Sequence, residues 1–297
     1  MDLLLHDKTV MSLDRPRIMG ILNLTPDSFS DGGLYTDPDQ AVRHGLAMAG
    51  QGADIIDAGG ESTRPGAGRI DVGEQVRRVV PVIRALREQL DLAYPGVQIS
   101  IDTTRVDVAR AAVDAGATIV NDVSAGGEDE QMLGFAAERG LPIVLMHMLG
   151  KPATMQDEPT YADVVAEVKD FLLARAGAAL DAGVDRQRVV LDPGIGFGKT
   201  TEQNLTLLRS IGEFVATGYP VLVGASRKRF IGAIEAQAGS AGDIDQAGGS
   251  TPTGDSRIGG TCAVSAHCVS AGVALLRVHD VAPNRQAALL AKAISSE

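Results

Sequence analysis

Short runs of Val, Ile and Leu recur along the chain and alternate with longer stretches whose apolar residues fall at helical spacing. The short runs are "RIMGILN" (17–23), "ADIIDAG" (53–59), "VQISID" (97–102), "ATIVND" (117–122), "PIVLMH" (142–147), "RVVLD" (188–192), "PVLVGAS" (220–226) and "ALLRVHD" (274–280). Between them the spacing predicts helices such as Pro38–Gln51, Val72–Leu92, Tyr161–Asp181 and Arg257–Ser270, with Gln286–Ile294 closing the series. Near-continuous apolar strands alternating with amphipathic helices are the pattern of βαβ units on a parallel sheet buried on both faces. Eight such repeats around one core predict a single-domain α/β protein, a (β/α)₈ TIM barrel over residues 1–297; an open doubly wound sheet is the rival. Residues 1–16 precede the first barrel strand and read as a short hairpin that can plug the bottom. The Gly-, Ser- and Asp-rich stretch 236–256 lacks periodicity and reads as a flexible surface loop.

Polar letters are not scattered evenly through the strand candidates. In almost every run the apolar residues come first and an Asn, Asp, His, Ser or Arg comes last. Barrel enzymes build their sites from the C-terminal ends of the strands, so this asymmetry predicts a mouth lined by Asn23, Asp102, Asn121, Asp192, Ser226, Arg277 and His279. A polar residue at a strand end also bonds its own turning backbone, which is the bland account of any one of them. Their number favours a site.

Size and charge narrow the chemistry. The 297 residues are 44% apolar, with net charge −11 and a sequence pI near 4.9. That balance disfavours nucleic acid and anionic membranes and favours small-molecule partners. Every long apolar stretch is broken by charge or Gly, and "MDLLLHDKTV" offers no extended signal core, so a cytoplasmic location is expected. Cys262 and Cys268 lie on one predicted helix, too far apart along it to bridge, and no Cys/His group has zinc spacing.

Three segments carry candidate chemistry. "LDPGIGFGK" (191–199) has the spacing G-x-G-x-G and lacks the Walker arrangement, so it does not read as a nucleotide loop; its glycines let Phe197 fold over Asp192 as an apolar wall. Asp102, Asn121 and Asp192 end three strands. They suit acid/base work, or acceptance of hydrogen bonds from a ring bearing amino and N–H groups, or bonds to nearby backbone alone. "VGASRKRFIG" (223–232) opens a helix whose free N–H groups, with Lys228 and Arg229, attract an anion. Arg277 and His279, two apart and therefore on one strand face, make a phosphate clamp, and "GGESTRPG" (59–66) adds Thr63 and Arg64 in a flexible loop.

With these residues gathered, the sequence resembles the dihydropteroate synthase family. "GILNLTPDSFSDGG", "DAGGESTRPGA", "SIDT", "NDVSAGG", "MHMLGKPATMQ", "LDPGIGFGK", "GASRKRFIG" and "GGT" through "RVHDV" occur in that family's order over nearly the whole chain. The resemblance implies condensation of 6-hydroxymethyl-7,8-dihydropterin diphosphate with 4-aminobenzoate, releasing pyrophosphate. It implies that Asp102, Asn121, Asp192 and Lys228 read the pterin, with Asp102, Asp192 and Lys228 catalytic. Asn23, Thr63, Arg64, Arg277 and His279 would hold the diphosphate, with Mg²⁺ on Asn23. Thr63, Pro65, Phe197, Ser226 and Arg229 would face the aminobenzoate, and a homodimer is the expected assembly. Arg229 departs from many relatives, which carry a small hydroxyl residue there, and the 236–256 loop is longer than the family needs. The rivals are a pterin-dependent methyltransferase barrel serving a corrinoid protein and a non-catalytic pterin-binding paralogue. The methyltransferase has little use for a diphosphate clamp or the "SRK" helix start, and both features are present; against the paralogue, no catalytic motif is missing.

Overall fold

The structure, a computed structural model, describes residues 2–25, 38–61, 68–150, 159–239 and 257–295. Two short strands, β1 (Asp2–Leu4) and β2 (Val10–Ser12), pair antiparallel as the expected hairpin. Eight parallel strands follow: β3 (Arg17–Asn23), β4 (Ile55–Gly59), β5 (Gln98–Asp102), β6 (Ile119–Asp122), β7 (Ile143–Met146), β8 (Val189–Asp192), β9 (Leu222–Val223) and β10 (Leu275–Val278). Their order is β8-β7-β6-β5-β4-β3-β10-β9, and a parallel bridge from Leu191 to Val221 joins the two ends. The ring of the predicted barrel is therefore present, and the open-sheet rival is not.

Strand parity sets which side chains meet the lumen. Met19, Ile55, Ile119, Val144, Val190, Leu222 and Leu275 form one buried cluster inside the ring, whereas Ile18, Ile56, Ile99, Val120, Leu145, Leu191 and Leu276 belong to the core between strands and helices. Leu3, Leu5 and Met11 of the hairpin join the inner cluster and seal the N-terminal pole. Full burial of such a side chain contributes roughly 1.5–3 kcal/mol, so the plug is a stability element. Two residues further along each strand the same parity brings Asp57, Ser100, Asn121, Asp192 and Arg277 inward. Apolar below and ionic above, the lumen is a floor under a site.

The outer layer comprises α1 (Pro38–Gly50), α2 (Val72–Ala93), α3 (Val106–Asp114), α4 (Met132–Arg139), α5 (Val164–Asp181), α6 (Thr201–Arg209), α7 (Ile211–Val215), α8 (Arg229–Gly239), α9 (Ile258–Ser270) and α10 (Val281–Ser295). Caps define several starts. Asp71 accepts from Glu74 N, Asp163 accepts from Val165 and Ala166 N, and Thr200 with Gln203 forms a capping box. Asp163 therefore begins α5 later than the predicted Tyr161. Helix α10 begins earlier than the predicted Gln286, because Pro283 lies in its first turn, where no intrahelical N–H is required. The loop expected at 236–256 is corrected at its start, since α8 runs through Gly239; the remainder of that stretch lies outside the described residues. Cys262 and Cys268 on α9 are free thiols, as their spacing predicts.

Candidate active site

At the C-terminal ends of the strands, register brings remote residues side by side. Asn23 pairs with Gly59, Gly59 with Asp102, and Asp102 with Asn121 across β3 to β6. Arg277 enters from β10. Its Nε donates to Asp57 Oδ2 at 2.6 Å and its Nη2 to Asp102 Oδ2 at 2.7 Å, so one guanidinium bridges two carboxylates. Asn121 Nδ2 donates to the same Asp57 oxygen at 3.0 Å. Asp57 is fully buried, and its Oδ1 has no hydrogen-bond partner among the described residues, an unmet acceptor inside the ring.

A second group faces the first. Asp192 closes β8 and accepts from Gly194 N at 2.7 Å. Lys228 donates to Ile195 O, with its ammonium 4.0 Å from the centre of the Phe197 ring. Phe197 thus forms the expected wall, though against Lys228. Gly194, Gly196 and Gly198 all have positive φ, and the absent side chains make room. A Cβ on Gly194 would lie 1.9 Å from His147 O, and one on Gly196 would lie 2.6 Å from Lys228 Cδ. Gly194→Ala is therefore expected to destabilise the fold by at least about 1–3 kcal/mol and to lower activity, checked by thermal unfolding and steady-state rates.

Burial dominates the electrostatics here. It raises the Asp102 carboxyl to about 7, with Arg277 opposing and Asp57 reinforcing the rise. It raises Asp192 as well, against Gly194 N–H and Lys228. Burial lowers the Lys228 ammonium to about 7, with Asp192 pulling the other way. For Arg277, burial is outweighed by Asp57 and Asp102, which hold the guanidinium above its ordinary range. Acids held high beside a lysine held low form a site poised near neutrality.

A third group lies at the rim. Ser226 Oγ accepts from His279 N at 3.1 Å and lies 3.0 Å from His279 Nδ1. Between Ser226 and Lys228, Arg227 has φ +59° and is clasped by Asp280 at 2.9 and 2.5 Å. Arg229 is exposed at the first turn of α8, and Asn23 is half-buried at the end of β3. Thr63, Arg64 and Pro65 lie outside the described residues. Arg277, read from the sequence as a phosphate clamp with His279, bonds the carboxylates of Asp57 and Asp102 inside the ring.

The family described as pterin binding enzyme matches residues 19–279. The dihydropteroate synthase of Mycobacterium leprae is 49% identical over 272 residues, covering 91% of this chain and 90% of the relative. The chain belongs to the dihydropteroate synthase family. It is accordingly an enzyme, a transferase of folate biosynthesis. Among solved structures, the Xanthomonas albilineans dihydropteroate synthase with 4-aminobenzoic acid is 43% identical with a TM-score of 0.86, covering all of this chain and 98% of that one. The same organism's dihydropteroate synthase in complex with 7,8-dihydropteroate is 39% identical with a TM-score of 0.82, and the match covers both chains fully.

Asp57 is the principal residue of this buried polar cluster that sequence reasoning missed. Its signal was available: a lone carboxylate inside an otherwise apolar buried strand requires a partner. Attention to strand ends passed over it, because Asp57 lies two residues short of the end of β4. His147 and Lys199, both buried behind Asp192, were missed as a pair as well. Their 3.0 Å contact spans 52 residues and has no local signature.

Proposed function

We propose that this dihydropteroate synthase binds its pterin on the buried ionic floor and condenses it there with the aromatic amine at the rim. The observation that carries the reading is the buried set Asp57–Arg277–Asp102 with Asn121, facing Asp192 and Lys228. A dihydropterin edge presents amino and N–H donors beside a carbonyl acceptor. Carboxylates and an asparagine match the donors, and an ammonium matches the acceptor. Asp102, Asn121, Asp192 and Lys228 therefore read the ring, and the unmet Asp57 oxygen adds one acceptor to that set.

The diphosphate, joined to the pterin methylene, extends toward Asn23, His279 and the upper edge of Arg277, with Thr63 and Arg64 contributing from the loop after β4. Mg²⁺ fits here as an ion carried largely by substrate oxygens and water, with the Asn23 amide oxygen as its protein contact. When bound, it would neutralise charge on the leaving diphosphate. Phe197, Pro65, Ser226 and Arg229, with Thr63, face the aminobenzoate.

We favour a dissociative substitution. The bond between the methylene carbon and the diphosphate oxygen breaks, and pyrophosphate leaves with the electron pair. The carbon's positive charge spreads into the pterin ring, where Asp102 and Asp192 stabilise it without reorganisation. The neutral aromatic amine then forms the C–N bond and loses one proton, so no strong base is required. Exclusion of water protects the cation until the amine attacks.

Net charge −11 supports small molecules over nucleic acid, and no helix among the described residues is long and apolar enough to cross a membrane. A cytoplasmic homodimer belongs to the same proposal. Leu290 and Ile294, one turn apart on α10, are exposed in the single chain and suit a covered face.

A pyrophosphate-release assay tests the reading. With Mg²⁺, release is expected only when both pterin diphosphate and 4-aminobenzoate are present. Equal release without the amine would identify a hydrolase and end the proposal.

A further inference from the structure

The loop 194–198 is held through its carbonyl groups by two ammonium groups, one buried and one half-buried. Lys228, from the far side of the site, takes Ile195 O. Lys199, whose residue is 2% exposed, takes Gly194 O at 3.0 Å and Phe197 O at 3.0 Å, and lies 3.0 Å from His147 Nδ1. A weaker contact to His147 O spans 3.4 Å. Gly196 N is taken by Asn204 Oδ1 at 2.6 Å, and Gly198 O by the Tyr161 hydroxyl at 2.8 Å. Every residue of this short loop is thus bonded through its backbone.

Such an arrangement is costly unless it has a use. An ammonium removed from water must recover its lost hydration, and here it does so with backbone carbonyls and one imidazole instead of a carboxylate. Burial, with Lys228 repelling, lowers Lys199 to about 7; burial, with Lys199 adding, lowers His147 to about 3, so the imidazole is neutral and accepts from the lysine. His147 N in turn donates to Asp192 O at 3.0 Å, which fixes the strand end that carries the Asp192 carboxylate. The loop then supplies Lys228 with a carbonyl and an aromatic face.

We infer that Lys199 is a positioning residue: by gripping Gly194 O, Phe197 O and His147, it fixes the loop so that Ile195 O and the Phe197 ring set the Lys228 ammonium opposite Asp192. Lys199 touches no substrate and acts through Lys228. The inference rests on the reading of Lys228 as a pterin-contacting group.

Binding of 6-hydroxymethyl-7,8-dihydropterin to the full chain, followed by calorimetry, tests the inference without relying on turnover. Lys199→Met preserves the side chain's length and removes its donors. It is expected to weaken binding by about tenfold in the wild-type background, the scale of one lost charge-assisted hydrogen bond, and by less than about twofold once Lys228→Met is present. An equal loss in both backgrounds would make Lys199 a general structural residue and overturn the inference, as would no loss in the wild-type background. Lys228→Met alone leaving pterin affinity unchanged would sink the pterin reading of Lys228, a distinct failure. Should Lys199→Met not unfold cooperatively, Lys199→Leu, which likewise lacks donors, enters the same cycle with the same expectations.

Discussion

Arg277→Ala is expected to remove measurable synthesis, a loss of at least about a hundredfold, and to lower the unfolding free energy by roughly 3–5 kcal/mol. The size of the second effect follows from what remains behind. Asp57 is fully buried and Asp102 nearly so, and among the described residues the only cation bonded to either is the 19%-exposed Arg277 side chain. Without it two carboxylates face one another in a desolvated lumen, and one must take up a proton or draw in water. Arg277→Lys separates charge from shape. A lysine restores one positive charge, but its single ammonium cannot reproduce the fork whose Nε and Nη2 reach different acids. It is therefore expected to recover much of the stability and little of the activity. Urea titration and initial rates measure the two effects; a lysine variant equal to wild type in both would show that bridging is not what the arginine contributes.

Lys228→Ala and Asp192→Ala carry the next largest effects, each reducing kcat/KM by on the order of 10²–10³ while leaving unfolding cooperative. The pH profile gives a finer test. Burial places Lys228 at about 7, so the ammonium is charged below that pH and loses its charge above it. The pterin carbonyl requires the charged form, and kcat/KM for the pterin diphosphate should fall as pH rises through about 7. Asp102, also near 7, and the raised Asp192 must be ionised to accept N–H bonds, which makes the rate fall again on the acid side. Substrate opposes both changes, because its donors favour the carboxylates and its carbonyl favours the ammonium. The kcat profile, which reports the bound complex, should consequently be broader than that of kcat/KM. Lys228→Ala should lose the alkaline limb; its persistence at the same pH would assign that limb to another group.

Much of this architecture was legible in the letters because its causes are local. Each strand candidate contains the strand found, and β9 is the shortest, Leu222–Val223 within the predicted 220–226. Asp102, Asn121 and Asp192 were legible for the same reason: strand parity and a C-terminal position aim them at the mouth. Helix ends were less legible, since Asp163 and Pro283 shift them by a cap or a first-turn proline that periodicity does not register.

The sequence by itself determined the alternation of strand and helix, the division of each strand into lumen-facing and helix-facing positions, and hence the ring of polar residues at one pole. Only the tertiary structure decided which of those residues pair, and at what depth. Arg277 meets Asp57 across 220 residues of chain, and Lys199 meets His147 across 52. A two-residue period fixes the side to which a side chain points. The height at which it meets a partner depends on the stagger of strands around a closed ring, a property that no single segment contains.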